Sequence, residues 1–241
     1  MAAKFVIGSY GKRETLDKKL NRNFIHERTG YMAVKYHIQT DYPVDEIGLD
    51  IFKGGYCGTG KIEGENYNLC YLYKRSKEFK FQSVKEIEEQ LLFKNPNLKN
   101  IFQNSQFITL EPEVINEISF VKKTQVENHI LMCGDTAGLI TPLCGNGMSM
   151  AIHASKLLCE LLINSDLLKQ ECITLKERLL LESSYKEKWN KLFKTRLFIG
   201  RSLQHLFSNS NLVEAGIRSI HAIPMFEKWL VKNSHGDVIY G

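Results

Sequence analysis

The residues best suited to chemistry run from Gly134 to Met148, in the order GDTAGLITPLCGNGM. They follow Ile130-Leu131-Met132-Cys133, a short apolar run of the kind that forms a strand covered on both faces. An acid directly after such a strand, Asp135, stands at the sheet end where open α/β folds bind ligands. Its carboxylate can accept hydrogen bonds from sugar-like hydroxyls. Beyond it, Pro142, Gly145 and Gly147 lead into apolar or small residues at 148, 151, 152, 154, 155 and 158, the period of a helix. Glycines at a helix start let a flat ligand lie against bare backbone. The first turn offers N–H groups without intrahelical partners and about half a positive charge to a developing anion. The same residues also suit a purely structural strand, turn and helix with Asp135 as a cap. Residue type alone leaves both readings open.

Other constellations carry less. GGYCGTGKI (54–62) contains Gly55-x4-Gly60-Lys61, most of a P-loop, but Ile62 stands where Ser or Thr must hold Mg²⁺. The residues after Ile62, EGENYNLCYLY, read as a turn and a strand, so a Gly-rich hairpin beside a pocket is expected. The seven histidines form no HxH or HExxH pair, and His153 reads as a packed core histidine. Asp17, Asp41, Asp45 and Asp50 are scattered and read as solvated turn residues. Cys57, Cys70, Cys133, Cys144, Cys159 and Cys172 show neither CxxC nor Cys/His ligand spacing. They read as small hydrophobes in a reduced, intracellular setting, with no metal site. No catalytic residue is assigned.

The elements that must position these residues emerge from periodicity. In YMAVKYHIQT, Met32, Val34, Tyr36 and Ile38 share one face; in NYNLCYLYK, Tyr67, Leu69, Tyr71 and Tyr73 do; and Ile47, Leu49 and Ile51 alternate in IGLDIF. Short Gly-rich connections predict antiparallel pairing. Ser83 and Glu86 form a capping-box pattern opening a helix over about 83–94, with Val84, Ile87, Leu91 and Leu92 inward. VINEISFVKK predicts a strand, KFVIGS a buried strand near the start, and further helices are expected at 147–163, 174–194, 196–208 and 211–221. The order is an antiparallel sheet set between two buried strands, then a helical tail.

The chain has 241 residues, enough for one large domain or two modest ones. Its net charge of +5 comes from basic residues scattered among acids, which argues against nucleic-acid binding. No window is apolar over the ~18 residues a spanning helix needs. The opening MAAKFVIGSYGKRE lacks the apolar run and cleavage site of a signal peptide.

Residues 130–158 resemble the Gly-Asp motif of FAD-dependent oxidoreductases of the aromatic-hydroxylase and geranylgeranyl-reductase type. That pattern runs strand, Gly-Asp, small residues, Pro-Leu-x-Gly-x-Gly and a long helix, and Gly134, Asp135, Ala137, Pro142, Gly145 and Gly147 match it. KFVIGSYGKRETLDKKL is similar to the family's second FAD-contacting segment, a strand ending in Gly-Ala-Asp-Gly. Gly8 and Gly11 match there, while Tyr10 replaces the Asp. GGYCGTGKIEGENYNL is similar to the reductases' Gly-Gly-Tyr-x-Trp-x-Phe-Pro segment at Gly54, Gly55 and Tyr56, with Gly58 and Gly60 in place of the aromatics. The Trp-x-Trp-x-x-Pro motif of the halogenase branch is absent.

The resemblance implies an α/β (α+β) fold: a partial FAD-binding Rossmann-like domain with an inserted antiparallel β-sheet substrate domain and C-terminal helices. It places the FAD-binding part at 1–29 and 122–165, the substrate sheet at 30–121 and the helical region at 166–241. Gly134, Asp135, Pro142, Gly145, Asn146, Gly147, Met148, Gly8 and Gly11 would contact FAD, and Gly55 and Tyr56 would line a substrate pocket. The implied activity is a flavin reduced by NAD(P)H that reduces a double bond or activates O₂ on a hydrophobic small molecule, as reductase or monooxygenase. No GxGxxG occurs in the chain, so the resemblance implies a C-terminal fragment, complemented by an N-terminal FAD-binding polypeptide. The alternative is a non-catalytic domain binding a hydrophobic ligand or partner, or a decayed gene product. A cytoplasmic, at most membrane-peripheral, location is expected.

Overall fold

A computed structural model describes residues 3–12, 14–78, 80–109 and 111–208, with Val213, Met225, Trp229, Lys232 and Asn233. In chain order its strands are β1 (Val6–Gly8), β2 (Tyr31–Gln39), β3 (Ile47–Phe52), β4 (Gly55–Lys61), β5 (Asn66–Lys74), β6 (Gln106–Phe107), β7 (Glu113–Ile118), β8 (Val126–Glu127) and β9 (Ile130–Met132). Its α-helices are α1 (Thr15–Lys19), α2 (Val84–Gln90), α3 (Pro96–Asn104), α4 (Gly147–Asn164) and α5 (Leu175–Phe207). The chain divides into two compact units, one built mainly from Met1–Arg28 and Ser119–Gln204, the other mainly from Thr29–Ile118.

The second unit is an antiparallel sheet in the order β3-β4-β5-β2-β6, with β7 also pairing β2. Alternation decides which face is covered. Met32, Val34, Tyr36 and Ile38 of β2 and Tyr67, Leu69, Tyr71 and Tyr73 of β5 are all buried, and Ile87, Leu91, Leu92, Leu98 and Ile101 from the α2–α3 segment close over them. Each such large side chain contributes about 1.5–3 kcal/mol of burial. β3 forms where expected, but its alternating residues face outward: Ile47 is 87% and Leu49 46% exposed. They stand on the face opposite Phe52, away from the helical cover, on a strand at the end of the sheet.

Several boundaries also move. The helix expected over 83–94 is α2 followed by a 3-10 turn at Leu92–Lys94. Ser83 Oγ accepts from Glu86 N at 3.2 Å, but the Glu86 carboxylate accepts from Gln82 N, so the box is half formed. VINEISFVKK keeps its strand only to Ile118, where Glu117 takes a left-handed φ of 58°. In GGYCGTGKI, Gly54 turns the β3–β4 hairpin at φ 91°, and the segment continues as strand β4 rather than as a helix. That geometry removes the P-loop reading.

In the first unit β1 pairs in parallel with β9, and β9 antiparallel with β8. β9 is inward as expected, with Leu131 and Met132 fully buried. β1 is not: Val6 and Ile7 are 49% and 47% exposed, because β1 is the edge of this three-stranded sheet. Two helices supply the core. Met150, Ala154, Leu158 and Leu162 form one stripe along α4, and Leu181, Tyr185, Trp189, Phe193 and Leu197 another along α5. Both recur at four-residue spacing, the inward stripe of a helix. α5 is one helix of 33 residues and not the expected pair at 174–194 and 196–208. Gly200 within it sits against the Thr141 hydroxyl and the Cys144 thiol, so its missing side chain serves close packing rather than a break. The helix expected at 211–221 lies, apart from Val213, outside the described residues.

Asp17 is the clearest departure from expectation. It is fully buried, paired with Arg22 at 2.9 Å and bonded by the Tyr10 hydroxyl at 2.8 Å. A lone carboxylate cannot be buried at this depth without such partners.

Candidate functional site

β9 delivers the chain to the candidate site. The Tyr185 hydroxyl donates to Met132 O at 2.6 Å, and Cys133 N donates to Gly8 O at 2.9 Å, fixing the strand end. The chain then turns at Gly134, whose φ of 63° suits glycine, into a 3-10 turn at Gly134–Thr136. Thr136 Oγ1 accepts from Gly11 N and donates to Gly11 O, both at 3.0 Å. This clamp holds the loop after β1 beside the turn that carries Asp135.

A second 3-10 turn, Pro142–Cys144, ends at Gly145 with φ 61°. α4 starts two residues later. Its N-cap, Asn146, makes no side-chain capping bond, and no acid stands in the first turn. The positive end of the helix is therefore left without the usual internal compensation.

These parts border one cleft of about 380 Å³, lined by Ser9, Gly11, Gly134, Asp135, Pro142, Gly145, Asn146, Gly147 and Met148 among others. A methyl group added at Gly11 or Gly145 would meet nothing within 4 Å, and one at Gly147 only Ile140 at 4.0 Å. The glycine backbone therefore faces open space that a side chain would fill. Asp135 is half-buried, and desolvation raises its carboxyl above the ordinary value, opposed by the positive charges of Lys12 and Lys123. The Lys123 ammonium donates to the main-chain oxygens of Lys12 and Asp135 at 2.6 and 2.9 Å, bracing the acid from behind. Such a cleft can hold a polyhydroxylated chain at Asp135 and a flat electron-rich group at the helix start.

Of the residues singled out in the sequence, Gly11, Gly134, Asp135, Pro142, Gly145, Asn146, Gly147 and Met148 are brought together here. Gly8 lies instead inside β1, where an added Cβ would stand 2.7 Å from the Met132 sulfur, so it is a packing glycine. Gly55 and Tyr56 belong to the sheet unit. Both are buried in β4; a Cβ at Gly55 would collide with Leu72 O, and the Tyr56 ring lies edge-on to Phe207. Ser9, Cys133, Leu139, Ile140, Thr141 and Ala151 also border the cleft and were not singled out. Their one signal is adjacency to the glycine motifs. His153 packs its ring edge-on against Phe193, as expected of a core histidine.

No family model matches the chain, and no curated protein matches it. Solved structures do. HpxO of Klebsiella pneumoniae, complexed with FAD and uric acid, superposes with a TM-score of 0.70 at 12% identity, covering 98% of this chain and 61% of that one. The flavin-dependent halogenase CmlS gives 0.60 at 18% identity over 81% of this chain and 35% of its own. A geranylgeranyl bacteriochlorophyll reductase-like protein from Thermoplasma acidophilum gives 0.60 at 17%, over 86% and 51%. The chain has the fold of flavin-dependent oxidoreductases. The expected α/β flavoenzyme fold, with its antiparallel sheet and helices, is thus met. The chain spans between 35% and 61% of the length of these three solved chains.

Proposed function

We propose that the chain is part of an FAD-dependent oxidoreductase of the aromatic-hydroxylase or geranylgeranyl-reductase type. In this reading the flavin is reduced by NAD(P)H and then reduces a double bond or activates O₂ on a hydrophobic small molecule. One observation carries it: Asp135 and the uncapped start of α4 border the same glycine-lined cleft. When bound, the flavin supplies the redox chemistry. The chain's own residues bind and orient. The Asp135 carboxylate would accept hydrogen bonds from the ribityl or phosphate-proximal hydroxyls, and Gly145, Asn146, Gly147 and Met148 would offer backbone N–H and bare surface to the ring edge. The positive helix end favours the negative charge of a reduced ring.

Residues 1–29 and 122–165 form the flavin-binding part in this proposal, 30–121 the substrate sheet with Gly55 and Tyr56 near substrate, and 166–241 the helical region. An FAD-binding portion bearing GxGxxG completes the site in this proposal, consistent with the share of the similar structures' length that the chain spans. We place the protein in the cytoplasm; no described helix is long and apolar enough to cross a membrane.

The test is titration of the purified chain with FAD, monitored by flavin fluorescence. Micromolar binding is expected. Absence of binding, both alone and with a GxGxxG-bearing polypeptide supplied, overturns the proposal. A second reading, a non-catalytic domain binding a hydrophobic ligand or partner, is favoured by the exposed Ile47 and Leu49 on the strand at the end of the sheet. It predicts that substituting both with Ser abolishes ligand capture while FAD binding is absent.

A further inference from the structure

A second cavity opens in the strand–helix unit beside Gly138, with a volume of about 340 Å³. That lies within the range of small-ligand pockets, roughly 300–1,000 Å³. Leu139 borders both it and the flavin-type cleft; the remaining walls are its own. Its walls are apolar at Val121, Leu139, Trp189, Leu197 and Phe198, and its charged lining is Lys122, Lys123, Lys194 and Arg201. None of its lining residues is Asp or Glu.

The charged lining shows a demand for an anion. Lys123 is occupied by main-chain oxygens, but Lys122, Lys194 and Arg201 take part in none of the ion pairs between described residues. Arg201 is half-buried, and desolvation lowers its guanidinium from the ordinary value with no carboxylate to offset it. A half-buried cation in that condition gains from an acidic ligand. Trp189 forms part of the apolar wall. Its side chain is 1% exposed, and its Nε1–H has no hydrogen-bond partner. The ring atoms nearest Gly138 are Cη2 and Cζ2, on the nitrogen-bearing side of the indole, and the missing side chain of Gly138 is what lets them approach.

We propose that this cavity binds a carboxylate carried on a flat apolar body. The body packs on Trp189, Leu197 and Phe198, which is itself 65% exposed; the carboxylate meets Arg201 and Lys194. A cationic ligand is repelled by the same lining, and a neutral one leaves the guanidinium uncompensated. The site needs no flavin, so its failure and the failure of the flavin reading are independent.

The test is calorimetric titration of the full chain, without flavin, with 2-naphthoate, its neutral isostere 2-naphthamide and 2-naphthylmethylammonium. Naphthoate is expected to bind roughly ten-fold or more tighter than the amide, with the ammonium weakest. The double variant Lys194→Gln/Arg201→Gln removes the preference for naphthoate over naphthamide and keeps the amide affinity. Both residues face solvent in part, so an unchanged thermal melt is expected. A charge-matched control, Lys18→Gln/Lys19→Gln, retains the preference. Equal affinity for acid and amide, preference surviving in the double variant, or loss of it in the control overturns the proposal. So does naphthoate binding weaker than about 1 mM.

Discussion

Arg22 donates to the main-chain oxygen of Thr136 at 3.0 Å while its other terminal nitrogen holds Asp17 at 2.9 Å. Further bonds to Thr124 O at 2.9 Å and to the Tyr10 hydroxyl at 3.4 Å accompany these, with the guanidinium 5.1 Å from the centre of the Phe24 ring. One buried side chain thus ties the segment after β1 to the turn that presents Asp135. Removing Arg22 leaves Asp17 charged and uncompensated in the interior. Arg22→Met is expected to cost about 3–5 kcal/mol in urea unfolding, the loss typical of breaking a buried pair from one side. Pairing it with Asp17→Leu should recover much of that loss. A double variant no more stable than Arg22→Met alone would show that Arg22 acts through the carbonyls rather than through Asp17.

Asp135 should trade stability for binding. Burial raises its folded-state carboxyl above the ordinary value, with Lys12 and Lys123 pulling the other way. A carboxyl raised on folding is bound by more protons in the native state, so its ionisation costs stability as pH rises through that window. Asp135→Asn is therefore expected to be more stable than the parent at pH 7 and to lose this advantage near the ordinary Asp value. Asp135→Ala should weaken flavin binding by about 1–3 kcal/mol, the range for hydrogen bonds to a charged group. Flavin affinity of the parent should fall on acidification through the raised value. Fluorescence titration across pH, beside urea melts, checks both halves; unchanged affinity would remove Asp135 from the proposed flavin site.

The parts of this fold that the sequence made legible are those decided by local pattern. β2 and β5 alternate because one face meets helices, and β9 is apolar throughout because both faces are covered. The cleft was legible for a similar reason: Gly134 to Met148 are contiguous, and the glycines mark the left-handed turns at 134 and 145. What depends on distant partners was not. Asp17 looks solvated until Arg22 returns beside it, and Gly8 looks like a ligand glycine until Met132 fills the space above it. Ile47 and Leu49 carry the same alternation as Met32 and Val34, but they stand on the opposite face, on a strand at the end of the sheet. α3 has its signal in Asn95-Pro96, a cap with proline at the first turn, which apolar periodicity alone passes over.

Gly147 and Gly145 should separate when each is replaced by alanine. Gly145 sits at φ 61°, where a side chain is strained by about 1–2 kcal/mol. Gly147 has no such constraint, and a methyl group there touches only Ile140 at 4.0 Å. Gly147→Ala is therefore expected to leave the melting temperature unchanged or raised, since alanine is the better helix former by about 1 kcal/mol. It nonetheless puts a methyl group on the wall of the cleft and should reduce flavin affinity. Gly145→Ala should lower both. Thermal unfolding combined with flavin titration reads the difference. Gly147→Ala binding flavin as the parent does would remove that wall from the proposed site.

Glu88 offers a test away from the cleft. It is buried in the sheet unit, and its Oε1 accepts from the Tyr36 hydroxyl at 2.7 Å and the Tyr71 hydroxyl at 3.1 Å. Burial raises its carboxyl above the ordinary value, and the two phenols oppose that rise without cancelling it. The native state therefore holds its proton to higher pH than the unfolded chain does. Stability from this group is present below the ordinary glutamate value and is lost as pH rises through the raised folded one. Glu88→Gln keeps an oxygen for both phenols and removes the titration. It is expected to unfold at higher urea than the parent at pH 7, with the gap closing as pH falls below the ordinary glutamate value. A gap that widened on acidification would mean that the ionised carboxylate, through its two phenol bonds, stabilises the sheet.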